Sequence, residues 1–238
     1  MSKRIYSTFS DFSNLAKSEI QSSHKIGFDE NTRPSNIDKV LVNDMFKKVG
    51  YLLNDNLSEM NILDIGCGCS YFTNFLIDHS ILNKNRLYLI DSKEMLSNID
   101  DTSDNVTKIS GKFPMSNGVL RKLEQKVNLI IINSVLHHVL LEDSIFQFLE
   151  NSLKYLEHFG ILYIGDLPNA SMQNRQVENY NSKKFKKHKI HGEGRFNDSL
   201  VLSLISYFRG KGFNAYIMPK PTSYKFSHSR EDLIITRI

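Results

Sequence analysis

The chain has 238 residues, 40% of them apolar and 24% charged, with a formal charge of +4; this is the balance of a globular domain with enough chain to bury a full core. So mild a charge does not argue for nucleic acid as a partner, and no apolar run reaches the roughly 18 residues of a membrane span. The start, MSKRIYSTFSDF, has no apolar segment of the kind that opens a signal peptide, so the expectation is a single domain over 1–238 in the cytoplasm.

In residues 1–60, Ile5, Phe9, Phe12, Leu15 and Ile20 suggest one or two short helices with an apolar side. Ser22–Asn36 is polar, carries Gly27 and Pro34, and reads as loop. Val40, Leu41, Met45, Phe46, Val49, Leu52 and Leu53 then recur at helical spacing. This segment reads either as a lid over a site or as plain cover for a sheet edge, and His24 as a surface histidine.

Asn61–Phe75 reads NILDIGCGCSYFTNF. An apolar run with Asp64 near its end breaks at Gly66 and Gly68, and helical spacing resumes at Phe72, Phe75 and Leu76. That pattern is strand, glycine turn, helix over about Tyr71–His79. Glycine lets a ligand approach the backbone closely, and the helix directs free N–H groups and its positive dipole end at the same spot. A cofactor site is the expectation here. Cys67 and Cys69 are the only cysteines. Their spacing is too short for an ordinary disulfide and lacks the second pair of a zinc site, so they read as small residues filling the turn.

A second apolar run, Leu87–Ile90, ends in Asp91, about 20 residues beyond the turn, where a carboxylate matches the vicinal hydroxyls of a ribose. Ser92–Ile99 reads as a helix capped by Ser92. Val106–Ser110 is a third strand, followed by Gly111-Lys112-Phe113-Pro114. Val127–Ile132 is almost wholly apolar, as in a parallel strand buried on both faces. It ends at Asn133-Ser134 and runs into Val135-Leu136-His137-His138-Val139. Ser144–Leu156 has helical periods and Gly160 closes it; Ile161–Ile164 is a fifth strand, ending at Gly165-Asp166. This alternation predicts an open parallel sheet with helices on both faces and ligands at the carboxyl ends of the strands. Gly66–Gly68, Asp91, Gly111–Phe113, Asn133–His138 and Asp166 all fall at those ends.

Residues 167–197 break the pattern, being long and polar, and read as a substrate-side insertion or a loop. Five lysines lie between Lys183 and Lys189, either as a solvated face or as a patch for a phosphate or other anion. His191-Gly-Glu193-Gly-Arg-Phe196 suits a loop that closes over a site. Asp198 can cap a helix with Leu200, Val201, Leu204, Ile205 and Phe208 inward, ended by Gly210 and Gly212. Phe213–Met218 and Asp232–Ile238 read as terminal strands, paired antiparallel.

On LDIGCGCS (Leu63–Ser70), LIDSKEML (Leu89–Leu96), NLIIINSVLHHV (Asn128–Val139) and GILYIGD (Gly160–Asp166), the chain resembles the class I S-adenosylmethionine-dependent methyltransferases. The match covers roughly residues 38–166 well and departs at Ser70, where the third glycine usually stands. LHHV followed by GDLPN resembles small-molecule methyltransferases of bacterial surface-polysaccharide genes. The resemblance implies an α/β, Rossmann-like, doubly wound seven-stranded sheet, mostly parallel with an antiparallel last strand. Residues 61–166 would be its cofactor-binding core and 198–238 its C-terminal helix and strands. It implies S-adenosyl-L-methionine as cofactor and S-adenosyl-L-homocysteine as product. Asp64, Gly66, Cys67 and Gly68 would lie under the methionine moiety, Asp91 with Ser92 at the ribose, Gly111, Lys112 and Phe113 beside the adenine, and Asn133 and Ser134 near the sulfonium. A nicotinamide or flavin site is disfavoured, because Tyr71 stands where G-x-G-x-x-G needs its last glycine.

An in-line methyl transfer needs mainly proximity and alignment; a hydroxyl or amine acceptor also gains from a general base. The candidates are His137, His138, Asp166, His191 and Glu193. No metal is expected, because strand four ends in Asn133-Ser134 and Leu167-Pro168 separates Asp166 from Asn169. The expected acceptor is small and polar, an anionic one included. A sugar or a phosphorylated, nucleotide-linked precursor of a bacterial surface polysaccharide, methylated at oxygen, is the leading form. The alternative is an RNA-binding methyltransferase using the lysine run, or a cofactor-binding module without turnover. Nucleobase amine methylation is disfavoured by the lack of an Asn/Asp-Pro-Pro-Tyr motif at Asn133. Monomer and homodimer are both open.

Overall fold

Every apolar run read as a strand enters one sheet in the computed structural model, which describes residues 8–18, 35–100, 103–114, 123, 126–180 and 196–237. In chain order the elements are α1 (Phe9–Ser18), α2 (Ser35–Leu53), β1 (Asn61–Ile65), α3 (Tyr71–Leu82), β2 (Arg86–Asp91), α4 (Lys93–Leu96), β3 (Val106–Ser110) and β4 (Val127–Asn133). They continue with α5 (Leu136–Glu142), α6 (Ile145–Leu153), β5 (Leu156–Pro168), α7 (Ala170–Tyr180), α8 (Asp198–Gly210), β6 (Phe213–Pro219) and β7 (Arg230–Arg237). The seven strands lie in the order β3-β2-β1-β4-β5-β7-β6. β3 to β5 are parallel, and β7 runs antiparallel to both β5 and β6. This is the expected doubly wound sheet. β1 has β2 on one side and β4 on the other, so the strand order reverses there and a crevice opens at the carboxyl ends.

Successive side chains of a strand face opposite ways, and the sheet divides two cores accordingly. Leu63, Ile65, Tyr88, Ile130 and Leu162 pack on the side of α5, α6 and α8, against Leu136, Phe148, Leu149, Leu204 and Phe208. Ile62, Leu87, Ile131, Tyr163 and Ile234 pack on the side of α1, α2 and α3, against Leu15, Leu41, Met45, Phe72 and Leu76. No helix among the described residues is long and apolar enough to cross a membrane.

Several boundaries differ from those read in the sequence. The helix after Ser92 lasts one turn, because the Ser97 hydroxyl and the Asn98 amide both donate to Glu94 O at 2.8 Å and end it. α3 runs on from His79 to Leu82. α6 stops at Leu153, and Leu156 already pairs with Val127, so Gly160 lies inside β5 and closes no helix. A Cβ at Gly160 would meet Leu156 Cγ at 2.7 Å and Asn128 O at 3.1 Å, at the place where the β4–β5 register shifts. β5 continues past Asp166 because β7 pairs with Leu167 and Pro168. The expected insertion therefore begins as strand and continues as α7, while Lys183–Lys189, His191 and Glu193 lie outside the described residues. Asn197 rather than Asp198 caps α8, accepting from Leu200 N at 3.0 Å. The loop read over Ser22–Asn36 also lies outside the described residues, except that Ser35 and Asn36 begin α2.

Candidate active site

The crevice is built first by the glycine turn. Gly66 has φ +74° and Gly68 φ +62°, a region in which side chains are strained. Gly66 N and Cys67 N both donate to Ile90 O, at 2.8 and 3.2 Å, and tie the turn to the end of β2. A Cβ at Gly66 would stand 2.7 Å from a Val135 methyl, so the segment after β4 presses directly on this turn. Nothing lies within 4 Å of a Cβ built on Gly68, which leaves open space for a ligand. The unusual Ser70 caps α3, its hydroxyl accepting from Phe72 N at 3.2 Å; a capping side chain is what this position uses in place of a third glycine. Cys67 and Cys69 are buried, and burial pushes both thiols up, Cys69 to about 12. They pack in the turn as expected.

The carboxylates come next. Asp91 Oδ2 accepts from Gly68 N at 2.8 Å and Oδ1 from Ser92 N at 2.7 Å. Burial raises its pKa, and those two N–H groups pull it partly back. Asp64 is 1% exposed, and its Oδ2 has no hydrogen-bond partner. Burial, and then the charge of Asp91, push its pKa up to about 8. Asn133 Oδ1 is also buried without a partner. Asp64 follows Ile62 and Asn133 follows Ile131 by two positions, so both stand on the α2–α3 side of the sheet, on neighbouring strands.

Two residues at the ends of β4 and β5, Ser134 (φ +58°) and Asp166 (φ +60°), hold left-handed backbone without being glycine, a strain that surrounding contacts must sustain. Ser134 Oγ donates to Asp166 Oδ2 at 2.7 Å, and Tyr224 Oη donates to Asp166 Oδ1 at 2.8 Å. Arg230 Nη1 donates to Asp166 O at 3.0 Å and to Oδ2 at 3.2 Å. Asp166 N donates to Asp232 Oδ1 at 2.9 Å. Asp232 pairs with Lys48 Nζ and Lys220 Nζ, each at 2.6 Å, and Lys48 also reaches Asp44 and Pro219 O. Asp166 is thus the hub of a buried network, a role that fits orientation better than proton transfer.

His137 and His138 lie in the first turn of α5, with ring centroids 4.0 Å apart, and His138 meets Phe12 of α1 edge-on at 5.0 Å. Burial, His138 and Arg230 together hold His137 well below the ordinary histidine value, against the opposing pull of Asp166. α1 bridges the two helices beside the crevice: Phe9 N donates to Glu142 Oε1 at 3.1 Å, and Ser13 Oγ donates to Glu94 Oε2 at 2.8 Å.

Asp64, Gly66, Cys67, Gly68, Asp91, Ser92, Asn133 and Ser134 therefore gather around one crevice, with His137 and Asp166 on its β4–β5 side. Two expected members go elsewhere. Phe113 turns into the core, edge-on to Phe148 at 5.2 Å and near Tyr155, instead of standing beside an adenine. Lys112 swings outward to ion pairs with Glu142 and Asp143. Gly111 does adjoin the site, its N–H donating to Asp91 O at 2.8 Å. Sequence reasoning missed Tyr224, Arg230 and Asp232 with its two lysines. The available signal was Asp44 and Lys48, charged and four apart on a helix whose neighbours are apolar. Among the described residues no group of His, Cys, Asp or Glu could hold a metal ion.

A family model described as a methyltransferase domain matches residues 56–198. No curated protein matches in sequence. Among solved structures, the plantazolicin methyltransferase BpumL in complex with SAH superposes with TM-score 0.63 at 15% identity, covering 95% of both chains. Magnesium protoporphyrin IX methyltransferase (ChlM) from Synechocystis PCC 6803 with bound SAM gives 0.57 at 14% identity over 100% of both. A putative S-adenosyl-L-methionine-dependent methyltransferase from Methanococcus maripaludis gives 0.55 at 14%, covering 100% of this chain and 96% of that one. Identities this low show a shared fold.

Proposed function

The chain belongs to the methyltransferase domain family, and from that premise we propose that it moves a methyl group from S-adenosylmethionine to a small polar acceptor. The observation that carries the reading is the crevice itself. It has open space over Gly68, two carboxylates at neighbouring strand ends, and two buried acceptor atoms, Asp64 Oδ2 and Asn133 Oδ1, that await donors. These features fit the cofactor, whose ribose hydroxyls and α-ammonium are donors.

When bound, the sulfonium supplies a methyl group already activated for displacement. The chain's own residues then hold and align. The Gly66–Gly68 backbone with Asp64 and Asn133 takes the amino-acid end, and Asp91 with Ser92 takes the ribose. α1, clasped by Glu94 and Glu142, serves as the cover that excludes water. His137 is kept neutral by its surroundings, so one of its ring nitrogens can accept the acceptor's proton at neutral pH. Asp166, oriented by Tyr224, Ser134 and Arg230, fixes the wall on which the acceptor rests.

The acceptor reading is a hydroxyl of a small polar molecule. The neighbours named above are a peptide natural-product enzyme and a porphyrin enzyme, so a sugar acceptor gains nothing from them. It rests on the LHHV and GDLPN stretches, and Leu167-Pro168 of the second is engaged in the β5–β7 ladder. The test is transfer of labelled methyl from S-adenosylmethionine into separated pools of low-molecular-weight metabolites, peptides and RNA. Label in the small-molecule pool that is lost with His137→Ala supports the reading. Label confined to RNA favours the rival built on the lysine run.

A further inference from the structure

We propose that the outer face of α2 and α3 is an interface with a second copy of this chain, a two-fold dimer in which Tyr51 of each copy meets Leu82 of the other and Lys47 meets Asp78. The proposal stands apart from the cofactor reading and concerns the side of the molecule away from the crevice.

Six large apolar side chains are exposed among the described residues, and three of them lie on this face: Tyr51 at 79%, Leu82 at 82% and Ile81 at 43%. Scattered singly, such residues need no explanation, whereas a cluster marks a binding surface. α2 turns Asn43, Lys47 and Tyr51 to solvent at four-residue intervals, and α3 turns out Asp78, Ile81 and Leu82. The core takes the other sides, burying Met45, Phe46 and Val49 of α2 and Leu76 and Ile77 of α3.

Two sets of contacts put the exposed side chains next to one another. The segments leaving the helices are tied together: Glu59 N donates to Asn83 O at 3.0 Å, Met60 N to Asn85 Oδ1 at 2.8 Å, and Asn85 Nδ2 to Leu57 O at 3.1 Å. Both helices therefore run the same way and end at the amino-terminal edge of β1 and β2, opposite the glycine turn. The Phe46 and His79 rings stack with centroids 3.5 Å apart and fix the register. Counted from that stack at about 1.5 Å per residue, Tyr51 lies about 3 Å further along than Leu82, and Lys47 about 3 Å further along than Asp78.

A two-fold axis parallel to the helices and between them turns this equal offset into self-complementarity. It lays α2 of one copy over α3 of the other and keeps every level. Tyr51 then faces Leu82, Lys47 faces Asp78, and symmetry makes each pair twice. A cation and an anion at matching levels select this same surface on another copy. A partner of one sign, such as an acidic peptide or an anionic membrane, meets a like charge at Asp78. Both crevices open at the same end of such a dimer, and neither is covered.

The experiment is sedimentation velocity of the full chain over a concentration series. The parent should run as a dimer of about 55 kDa, twice the 27.5 kDa chain. Leu82→Glu should sediment as the 27.5 kDa monomer with the parent's circular dichroism, since that side chain is exposed. An exposed ion pair is worth up to about fivefold in affinity. Lys47→Glu or Asp78→Lys alone replaces two attractions by two repulsions and should weaken the dimer about tenfold or more. Lys47→Glu together with Asp78→Lys restores opposite charges across the axis and should return to within about threefold of the parent. A parent that is monomeric at about 0.1 mM, a dimer unmoved by Leu82→Glu, or a double swap as weak as the single ones overturns the proposal. The charge swap decides the matter even if Leu82→Glu folds poorly.

Discussion

Asp232→Ala tests whether the network under Asp166 is a structural necessity. Asp232 is wholly buried, and it faces Lys220, also wholly buried, and Lys48, whose side chain is 9% exposed. Removing the carboxylate leaves two desolvated ammonium groups: Lys48 keeps Asp44 and Pro219 O, and Lys220 keeps the Tyr224 ring at 5.8 Å. Breaking a buried pair from one side costs about 3–5 kcal/mol. In a chain of this size each kcal/mol lowers Tm by about 2–4 °C, so Asp232→Ala should melt roughly 6–20 °C below the parent. Asp232→Asn keeps an oxygen for Asp166 N and should fall in between. Thermal and guanidinium unfolding give both numbers. Adding Lys220→Met to Asp232→Ala removes one stranded charge and should recover part of the loss, a coupling of about 1–3 kcal/mol. A cost below about 1 kcal/mol for Asp232→Ala, the value of an exposed pair, or strict additivity in the double variant, refutes the reasoning.

Three further outcomes follow from single residues. Gly66→Ala drives a Cβ to 2.7 Å from Val135 at φ +74° and should cost about 2–4 kcal/mol from overpacking and strain; Val135→Ala in the same chain should recover the steric share, read by denaturant midpoint. Phe113→Leu should leave S-adenosylhomocysteine affinity within about twofold, because the ring belongs to the core; a loss of tenfold or more, the scale of a lost ring–base stack, would return Phe113 to the adenine. His137 is held below the ordinary value in the folded chain, so the unfolded chain binds more protons as pH falls below about 6.5, and stability falls with it by up to about 1.4 kcal/mol per pH unit. His137→Asn should flatten the stability profile between about pH 6.5 and 5, and an unchanged slope counts against the assignment.

The parallel core was legible because its strands are unbroken apolar runs and its ligand-side residues sit at their ends. Gly66, Gly68, Asp91 and Asn133 could be grouped from alternation alone, and Asp64 joined them through the family resemblance. Asp166 was legible as a position at a strand end, but not as the centre of a network. Its partners Tyr224, Arg230 and Asp232 reach it only through an antiparallel pairing of β5 with β7, about 60 residues on, and no local pattern encodes that register. Gly160 was misread for a related reason: glycine after an amphipathic run marks a helix end or a bulge equally well, and the shift against Asn128 decides between them. Phe113 depends on which way the chain turns after Gly111, whose φ of +148° is open mainly to glycine. α5 passed unnoticed because Val135, at its start, makes no side-chain cap.

The central claim is that the crevice between β1, β2 and β4 holds S-adenosylmethionine and its product. The most direct measurement is a binding isotherm for S-adenosylhomocysteine with the parent protein and with Asp91→Ala. The account predicts saturable one-site binding to the parent and a loss of about 10- to 100-fold in the variant, the worth of hydrogen bonds to one carboxylate. No binding by the parent, or an Asp91→Ala affinity within about threefold of it, contradicts the account.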